Sequence, residues 1–426
     1  MTSSYEATRA WAEAADRQDP LRDYRERFLI PPHDDGQTLY FCGNSLGLEP
    51  REVREAVNSE LDYWGELGVE GHFKGRQPWL SYNEYVREHL AELVGAESGE
   101  VVAMNTLSVN LHLLMVSFYR PDATRHKILI EGGAFPTDRY AVESQIRFHG
   151  FDPAESLIEL APDEANGTLS MQAIEQALDE HGPSTALVLL PGVQYRTGQA
   201  FDLETITRKA HAKGCMVGFD LAHAVGNVPL ALHDSGPDFA VWCHYKYVNS
   251  GPGAVGGAFV HARHAHSDRP RFAGWWGHDK ATRFQMGPHF DPTPGAEGWQ
   301  LSNPPILAMV PLRVSLQMFH QAGMKTLREK SLRLTGYLEW LVDSQLSDTL
   351  EVLTPREPSR RGAQLSIRVL DGRERGRALF DHLVGQGIIG DWREPDVIRI
   401  SPAPMYNRFQ DCLGFCEAVK AWREGP

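Results

Sequence analysis

The chain has 426 residues, 42% of them hydrophobic, with 56 acidic against 42 basic side chains and a formal net charge of -14. Such a chain buries a large core and has room for more than one domain, while an acidic balance with no basic cluster argues against nucleic acid or an anionic membrane as the main partner and leaves small molecules. No apolar stretch approaches the roughly 20 residues that cross a bilayer, and the opening "MTSSYEATRAWAEAADRQDP" places Glu6, Glu13 and Asp16 where a signal peptide needs an apolar run, so a cytoplasmic protein is expected.

Residues 1–70 form a turn-rich N-terminal segment that packs on either domain or across a dimer interface. A large domain is expected over 71–309. Within it, from about residue 100 to 260, short apolar runs alternate with amphipathic stretches: "VVAMN", "SVNLHLLMVSFYR", "KILIEG", "PTDRYAVESQIRFHG", "ALVLLPG", "LETITRKAHAKG", "CMVGFD" and "FAVWC". This is the pattern of βα units feeding a mostly parallel sheet, and runs such as Ala186 to Leu190 are apolar throughout, as strands covered on both faces must be. Ser108 stands where an N-cap belongs, and Gly182 and Gly214 stand where C-caps do. From about 310 a long helical pattern, "VSLQMFHQAGMKTLREKSLRLTGYLEWLVDSQL", gives way to strand-like "AQLSIRVL" and "DVIRIS", so a smaller α+β domain is expected over 310–426. Near the end, Cys412 and Cys416 fall one helical turn apart, as on a buried helix face; with Cys42, Cys215 and Cys243 they make five scattered cysteines, an odd set that predicts reduced thiols rather than a disulfide framework.

Ligands of an open parallel sheet gather outside the carboxyl ends of its strands. Four such ends carry polar groups here: Leu107 and Ser108 after "VVAMNT", Phe135 to Asp138 after "ILIEGGA", Asp220 closing "CMVGFD", and Tyr245 with Lys246 after "FAVWCH". An amine placed just past an apolar strand is costly to bury as a cation, and its neutral form is a good nucleophile toward an aldehyde. A Schiff base between Lys246 and pyridoxal 5'-phosphate accounts for that placement. Such chemistry needs a carboxylate at the ring nitrogen, for which Asp220 is positioned, and a helix N-terminus with hydroxyls for the phosphate, for which Leu107 and Ser108 open a helix; Tyr245 adds a phenol and Phe135 an aromatic face. Taken singly, each residue has a plainer reading as a cap, a turn or core. Two competing motifs fit less well. Gly251, Gly253 and Gly256 spell G-x-G-x-x-G, but the run leads into the strand-like "GGAFVHA" rather than a helix. His261, His264 and His266 match the spacing of no common zinc site, and no metal is expected.

Over nearly its whole length the sequence resembles the kynureninases, fold-type-I pyridoxal-phosphate enzymes that hydrolyse kynurenines. The resemblance lies in "YFCGNSLGLEP" (40–50), "MNTLSVNLHLLM" (104–115), "FPTD" (135–138), "GFDLAHAVGNVPLALHD" (218–234), "WCHYKY" (242–247), "GWWGH" (274–278), "SNPPIL" (302–307) and "VIRISPAPMYN" (397–407). A lysine followed by a small-residue turn is common to many fold-type-I enzymes; "DLAHAVGNV" and "GNSLGL" are far narrower. The resemblance implies an α/β fold of the fold-type-I transferase kind, with a mostly parallel sheet in the large domain and a smaller C-terminal α+β domain. It implies that Lys246 holds the cofactor and later moves protons, that Asp220 pairs with the ring nitrogen, and that Leu107, Ser108, Phe135, Pro136, Thr137, Asp138, His223 and Tyr245 surround the cofactor. Trp275 and Asn303 approach it from the large-domain edge, either of the same chain or of the second subunit of the implied homodimer. Arg399 clamps the substrate α-carboxylate, with Asn44, Ser45, His72, Ser302 and Asn303 also at the substrate.

The implied reaction breaks the β–γ carbon bond of L-kynurenine or 3-hydroxy-L-kynurenine, giving anthranilate or 3-hydroxyanthranilate and L-alanine, with Tyr245 as the candidate donor of the last proton. His72, Ser302 and Asn303 match the form of the family that favours the hydroxylated substrate. Two positions depart from the family pattern: Arg196 stands where an aromatic residue is expected and Ser108 where threonine is usual. The rival readings are another fold-type-I enzyme, desulfurase-like or aminotransferase-like, and a non-catalytic relative that keeps only the scaffold; the joint presence of Lys246, Asp220 and Arg399 speaks against the latter.

Overall fold

The computed structural model describes residues 5–34 and 36–425. The elements that place the site are, among strands, β1 (Leu39–Tyr40), β2 (Val101–Ala103), β3 (Lys127–Glu131), β4 (Leu157–Leu160), β5 (Thr185–Pro191), β6 (Met216–Asp220), β7 (Phe239–Cys243), β8 (Gly256–Val260), β9 (Leu350–Val352), β10 (Leu365–Val369), β11 (Ile388–Ile389), β12 (Asp391–Arg393) and β13 (Val397–Ile400). Among helices they are α1 (Arg9–Arg17), α2 (Leu107–Phe118), α3 (Pro136–Phe148), α4 (Leu203–Ala212), α5 (Ile306–Ala322), α6 (Met324–Gln345) and α7 (Phe409–Glu424).

Seven strands form the main sheet in the order β2-β8-β7-β6-β5-β3-β4. The pairs β7–β6, β6–β5, β5–β3 and β3–β4 are parallel; only β8 runs against its neighbours, β7 and β2. The apolar runs alternate between two faces, both of them buried. Leu129, Val188, Leu190, Ala240 and Trp242 enter one core, while Ile128, Ile130, Leu187, Leu189 and Val241 enter the other. Fully burying one such side chain contributes ~1.5–3 kcal/mol, so a polar substitution on either face is costly. The expected strand at "GGAFVHA" is present as β8, and the glycine run before it is a turn, not a nucleotide-binding helix start.

A second sheet, antiparallel, has the order β9-β10-β13-β12 and its own core, with Leu365, Ile367, Ile398 and Ile400 packed against α6 and α7. Cys412 and Cys416 lie buried on α7, and all five cysteines are free thiols. The long helical pattern is two helices: at Gly323 the backbone turns to φ +73°, a conformation glycine adopts without strain, and α5 ends there. Helix α5 contributes Met309, Leu312, Leu316 and Phe319 to the core of the large sheet, and α6 contributes Leu334, Leu338 and Leu341 to that of the small one.

Other caps differ in detail. Thr106, extended at φ -125°, is the N-cap of α2, and Ser108 lies inside the first turn. Gly214, at φ +78°, follows α4 as expected, whereas Gly182 stays in the right-handed region at φ -50° and continues into a short 3-10 turn. The N-terminal segment joins both sheets' surroundings. Helix α1 places Ala12 and Ala15 in the small core, β1 pairs in parallel with β11, and Gly47 N–H donates to the Tyr245 carbonyl at 2.8 Å. No helix among the described residues is long and apolar enough to cross a membrane.

Candidate active site

Strands β2, β3, β5, β6 and β7 all end on one edge of the large sheet, and a cavity of about 200 Å³ opens there. Of the expected residues, Asn44, Ser45, Leu107, Ser108, Phe135, Thr137, Asp138, Asp220, His223, Tyr245, Lys246 and Arg399 line it together. Pro136 opens α3 directly behind Phe135, where its fixed φ suits the first helical position.

Lys246 follows β7 in a tight turn. Asn249, three residues on, sits at φ +58° with its side-chain N–H donating to the Tyr247 carbonyl at 2.9 Å, a local bond that suits asparagine to the left-handed region. A side chain on Gly47 would collide with the Lys246 carbonyl, so the strap at 40–50 lies directly on this turn. The Lys246 Nζ is 3.1 Å from His223 Nε2 and about 6 Å from the ring centres of Phe135 and Tyr245. Burial, and then the Lys246 charge, hold His223 well below the usual imidazole range. It is therefore neutral and accepts from the amine through Nε2, and its buried Nδ1 has no protein partner. Burial also raises the Tyr245 phenol, which keeps its proton at neutral pH.

The floor is acidic. Asp220, last in β6, accepts the Ala222 N–H at 2.8 Å. Burial raises its carboxyl, opposed by the Lys246 charge. Burial, then Asp220, hold Asp138 well above the ordinary carboxylate range, so within this pair Asp138 keeps the proton and Asp220 the charge. A third carboxyl, Glu131 at the end of β3, is pushed up to about 8 by burial; its partner is Gln194, whose side-chain N–H reaches it at 3.5 Å, and the Asp220 charge raises it further.

The opposite wall is basic. Arg399 on β13 is 1% exposed; it donates to the Tyr195 carbonyl at 2.7 Å and to Asp391, and Arg393 on β12 donates to the same Asp391 oxygen at 3.0 Å. Asn44, fully buried, donates to Gln364 at 3.0 Å, and Gln364 in turn donates to the Tyr195 carbonyl. Sequence reasoning missed Glu131, Tyr195 and Arg393 as cavity residues. The signal for Glu131 was a carboxylate ending an apolar run. Tyr195 was obscured by the search for an aromatic at 196: Arg196 points to Asp396 at 3.4 Å, and it is Tyr195 that meets Phe135 edge to face at 5.3 Å.

His72, Trp275, Ser302 and Asn303 do not join this cavity within the single chain. His72 stands edge-on to Trp79 at 5.4 Å, Trp275 donates its indole N–H to the Arg283 carbonyl at 3.1 Å, and Ser302 and Asn303 are exposed. The histidine run is structural: His264 is buried against Asp238 at 2.8 Å, rather than solvated, and His261 caps a short 3-10 turn.

A family model for the kynureninase C-terminal domain matches residues 327–419. A kynureninase of Stenotrophomonas maltophilia is 67% identical over 417 residues, which are 97% of this chain and 98% of that one. One of Xanthomonas euvesicatoria is 65% identical over 415 residues, with the same coverage. The chain belongs to the kynureninase family. It is an enzyme that hydrolyses kynurenine, with pyridoxal phosphate as its cofactor. Solved structures alike in fold include the cysteine desulfurase CsdA of Escherichia coli, with a TM-score of 0.76, 17% identity and 95% and 98% of the two chains covered. A cysteine desulfurase of Thermococcus onnurineus has a TM-score of 0.74 at 16% identity, covering 97% and 98%.

The cavity fits the kynureninase cofactor on its own chemistry. A charged carboxylate suits a protonated ring nitrogen, the first turn of α2 offers backbone N–H groups and the Ser108 hydroxyl to a phosphate, and the unpartnered His223 Nδ1, Asp138 Oδ1 and Asn44 Oδ1 are buried polar atoms that lack protein partners.

Proposed function

We propose that this chain favours 3-hydroxykynurenine over kynurenine and releases L-alanine together with the anthranilate-type acid. The observation that carries the assignment of roles is the Lys246 amine, 3.1 Å from a neutral His223, between a carboxyl floor and an arginine wall. Pyridoxal phosphate, when bound, supplies the aldehyde that captures the substrate amine and the ring that accepts electrons from the α-carbon. Everything else falls to the protein. Asp220 keeps the ring nitrogen protonated, with Asp138 as a neutral donor beside it. Leu107 and Ser108 hold the phosphate at the α2 N-terminus, and Phe135 covers the ring face. Lys246 Nζ takes the α-proton and is the group placed to deliver it again. Tyr245, still carrying its proton, returns one to the three-carbon fragment as it becomes alanine. Arg399 binds the α-carboxylate through a planar guanidinium held rigid by Asp391 and the Tyr195 carbonyl.

The homodimer is part of the same proposal. Exposed Trp64, Phe73 and Leu307 gather around Trp79 and His72, an apolar surface of the kind a second copy covers. Such a copy brings His72, Trp275, Ser302 and Asn303 to the neighbouring cavity, where polar groups meet the substrate's extra phenol. A site built to hydrogen-bond a hydroxyl discriminates strongly against the analogue without one. Five free thiols suit a reducing cytoplasm. Measuring kcat/KM for both substrates, with product analysis, tests the reading: the hydroxylated substrate is expected to be favoured and alanine to appear in equal amount with the aromatic acid. An advantage for kynurenine overturns the preference, and a carbon product other than alanine overturns the reaction.

A further inference from the structure

Resting on the assignment of Arg399 to the substrate α-carboxylate, we propose that Arg393 is a second guanidinium for that same carboxylate, placed at the cavity mouth. The two arginines come from neighbouring antiparallel strands, in which Asp391 pairs with Arg399 and Arg393 with Val397, and both line the cavity. A single oxygen of Asp391 accepts from both, at 3.0 Å from Arg393 and at short range from Arg399. Two fixed positive charges therefore share one negative charge, which leaves the pair with an excess of one. The next acids along the loop face elsewhere and do not reduce that excess: Glu394 pairs with Arg373, and Asp396 faces Arg196 and Arg368. One substrate carboxylate balances it.

Unpaired donors give a second, independent reason. The Nε atoms of Arg393 and of Arg399 are both buried and neither has a partner among the described residues. A buried donor left unpaired costs free energy that an arriving acceptor recovers. A carboxylate offers two oxygens and about four lone-pair sites, enough for two forks at once. The two arginines differ in freedom: the Arg399 side chain is 1% exposed and that of Arg393 36%. Arg399 is thus a fixed anchor, while Arg393 can close on the ligand after it enters.

The test uses the holoenzyme and the variants Arg393→Gln and Arg393→Lys. The two products carry the two halves of the substrate, and of these only L-alanine has the α-carboxylate. Arg393→Gln is expected to weaken L-alanine binding, read from the absorbance change near ~420 nm, by about tenfold, the value of one charge-assisted hydrogen bond. Inhibition by anthranilate is expected to change less than about twofold, and the melting temperature and cofactor content to stay put. In turnover, KM for kynurenine rises about tenfold while kcat holds within about threefold, and lysine recovers part of the loss. Equal weakening of both products, or of neither, overturns the proposal, as does a fall in melting temperature with an unchanged KM. Should the wild-type enzyme itself show no response to L-alanine, the alanine assignment fails, and the KM of Arg393→Gln still decides the role of Arg393.

Discussion

The two ends of the cavity are built from different sheets and solve opposite problems. The floor, at the strand ends of the large parallel sheet, crowds Glu131, Asp138 and Asp220 together, and such a group of buried carboxyls settles its charge by keeping protons. The wall, from the small antiparallel sheet, holds two guanidinium groups, Arg393 and Arg399, tied to one aspartate. On the proposed roles the contrast is a division of labour: proton inventory lies at the end assigned to the cofactor ring, and permanent charge at the end assigned to the substrate anion.

The sharpest break of this comparison removes the group between the two ends. Lys246→Ala is expected to lose the absorbance band near ~420 nm and to lower turnover by about 10⁴-fold, since both covalent capture and proton transfer depend on that amine; stopped-flow and steady-state assays read both. Next comes the wall. Arg399→Gln leaves Asp391 with one partner and the substrate carboxylate without its anchor, so kcat/KM should fall by about 10²-fold or more, the usual cost of truncating a buried charge pair of 2–5 kcal/mol, with melting temperature measured alongside. The floor gives the smallest effect, and its sign is fixed by linkage. Glu131 has a folded pKa of about 8, above its ordinary value, so between pH 4.5 and about 8 the folded state binds more protons than the unfolded one and stability declines as pH rises. In cofactor-free protein that decline amounts to at most roughly 1.4 kcal/mol per pH unit, and Glu131→Gln should flatten it. Melting curves across that window check this; an unchanged slope in the variant assigns the decline elsewhere.

The floor was far more legible in the sequence than the wall. Asp220, Tyr245 and Lys246 end strands whose apolar runs announce themselves, and the parallel topology obliges those ends to share an edge. Arg393 sits in "DWREPDV", where a charged residue looks like any surface turn; what brings it to the cavity is the packing of the small sheet against the strand ends of the large one, and no local pattern carries such packing. Glu131 reads as a strand-end cap until its neighbours from two other elements are known. The break at Gly323 was overlooked because apolar periodicity continues through it on both sides. His72, Trp275, Ser302 and Asn303 were reached through resemblance alone: Trp275, Ser302 and Asn303 are exposed and His72 is half-buried away from the cavity, so no reading of this chain's own core would have found them.

The strap at residues 40–50 carries a consequence for how the protein is made. It presses on the lysine turn through Gly47 and is held in place by the pairing of Leu39 and Tyr40 with Ile388 and Ile389. The strap must therefore wait for Ile388 and Ile389, which are synthesised long after it, before the lysine turn is locked. A nascent chain halted ahead of residue 388 carries every residue of the lysine loop and still lacks the strand that pins the strap, as well as Arg393 and Arg399, so the pocket is finished only beyond that point.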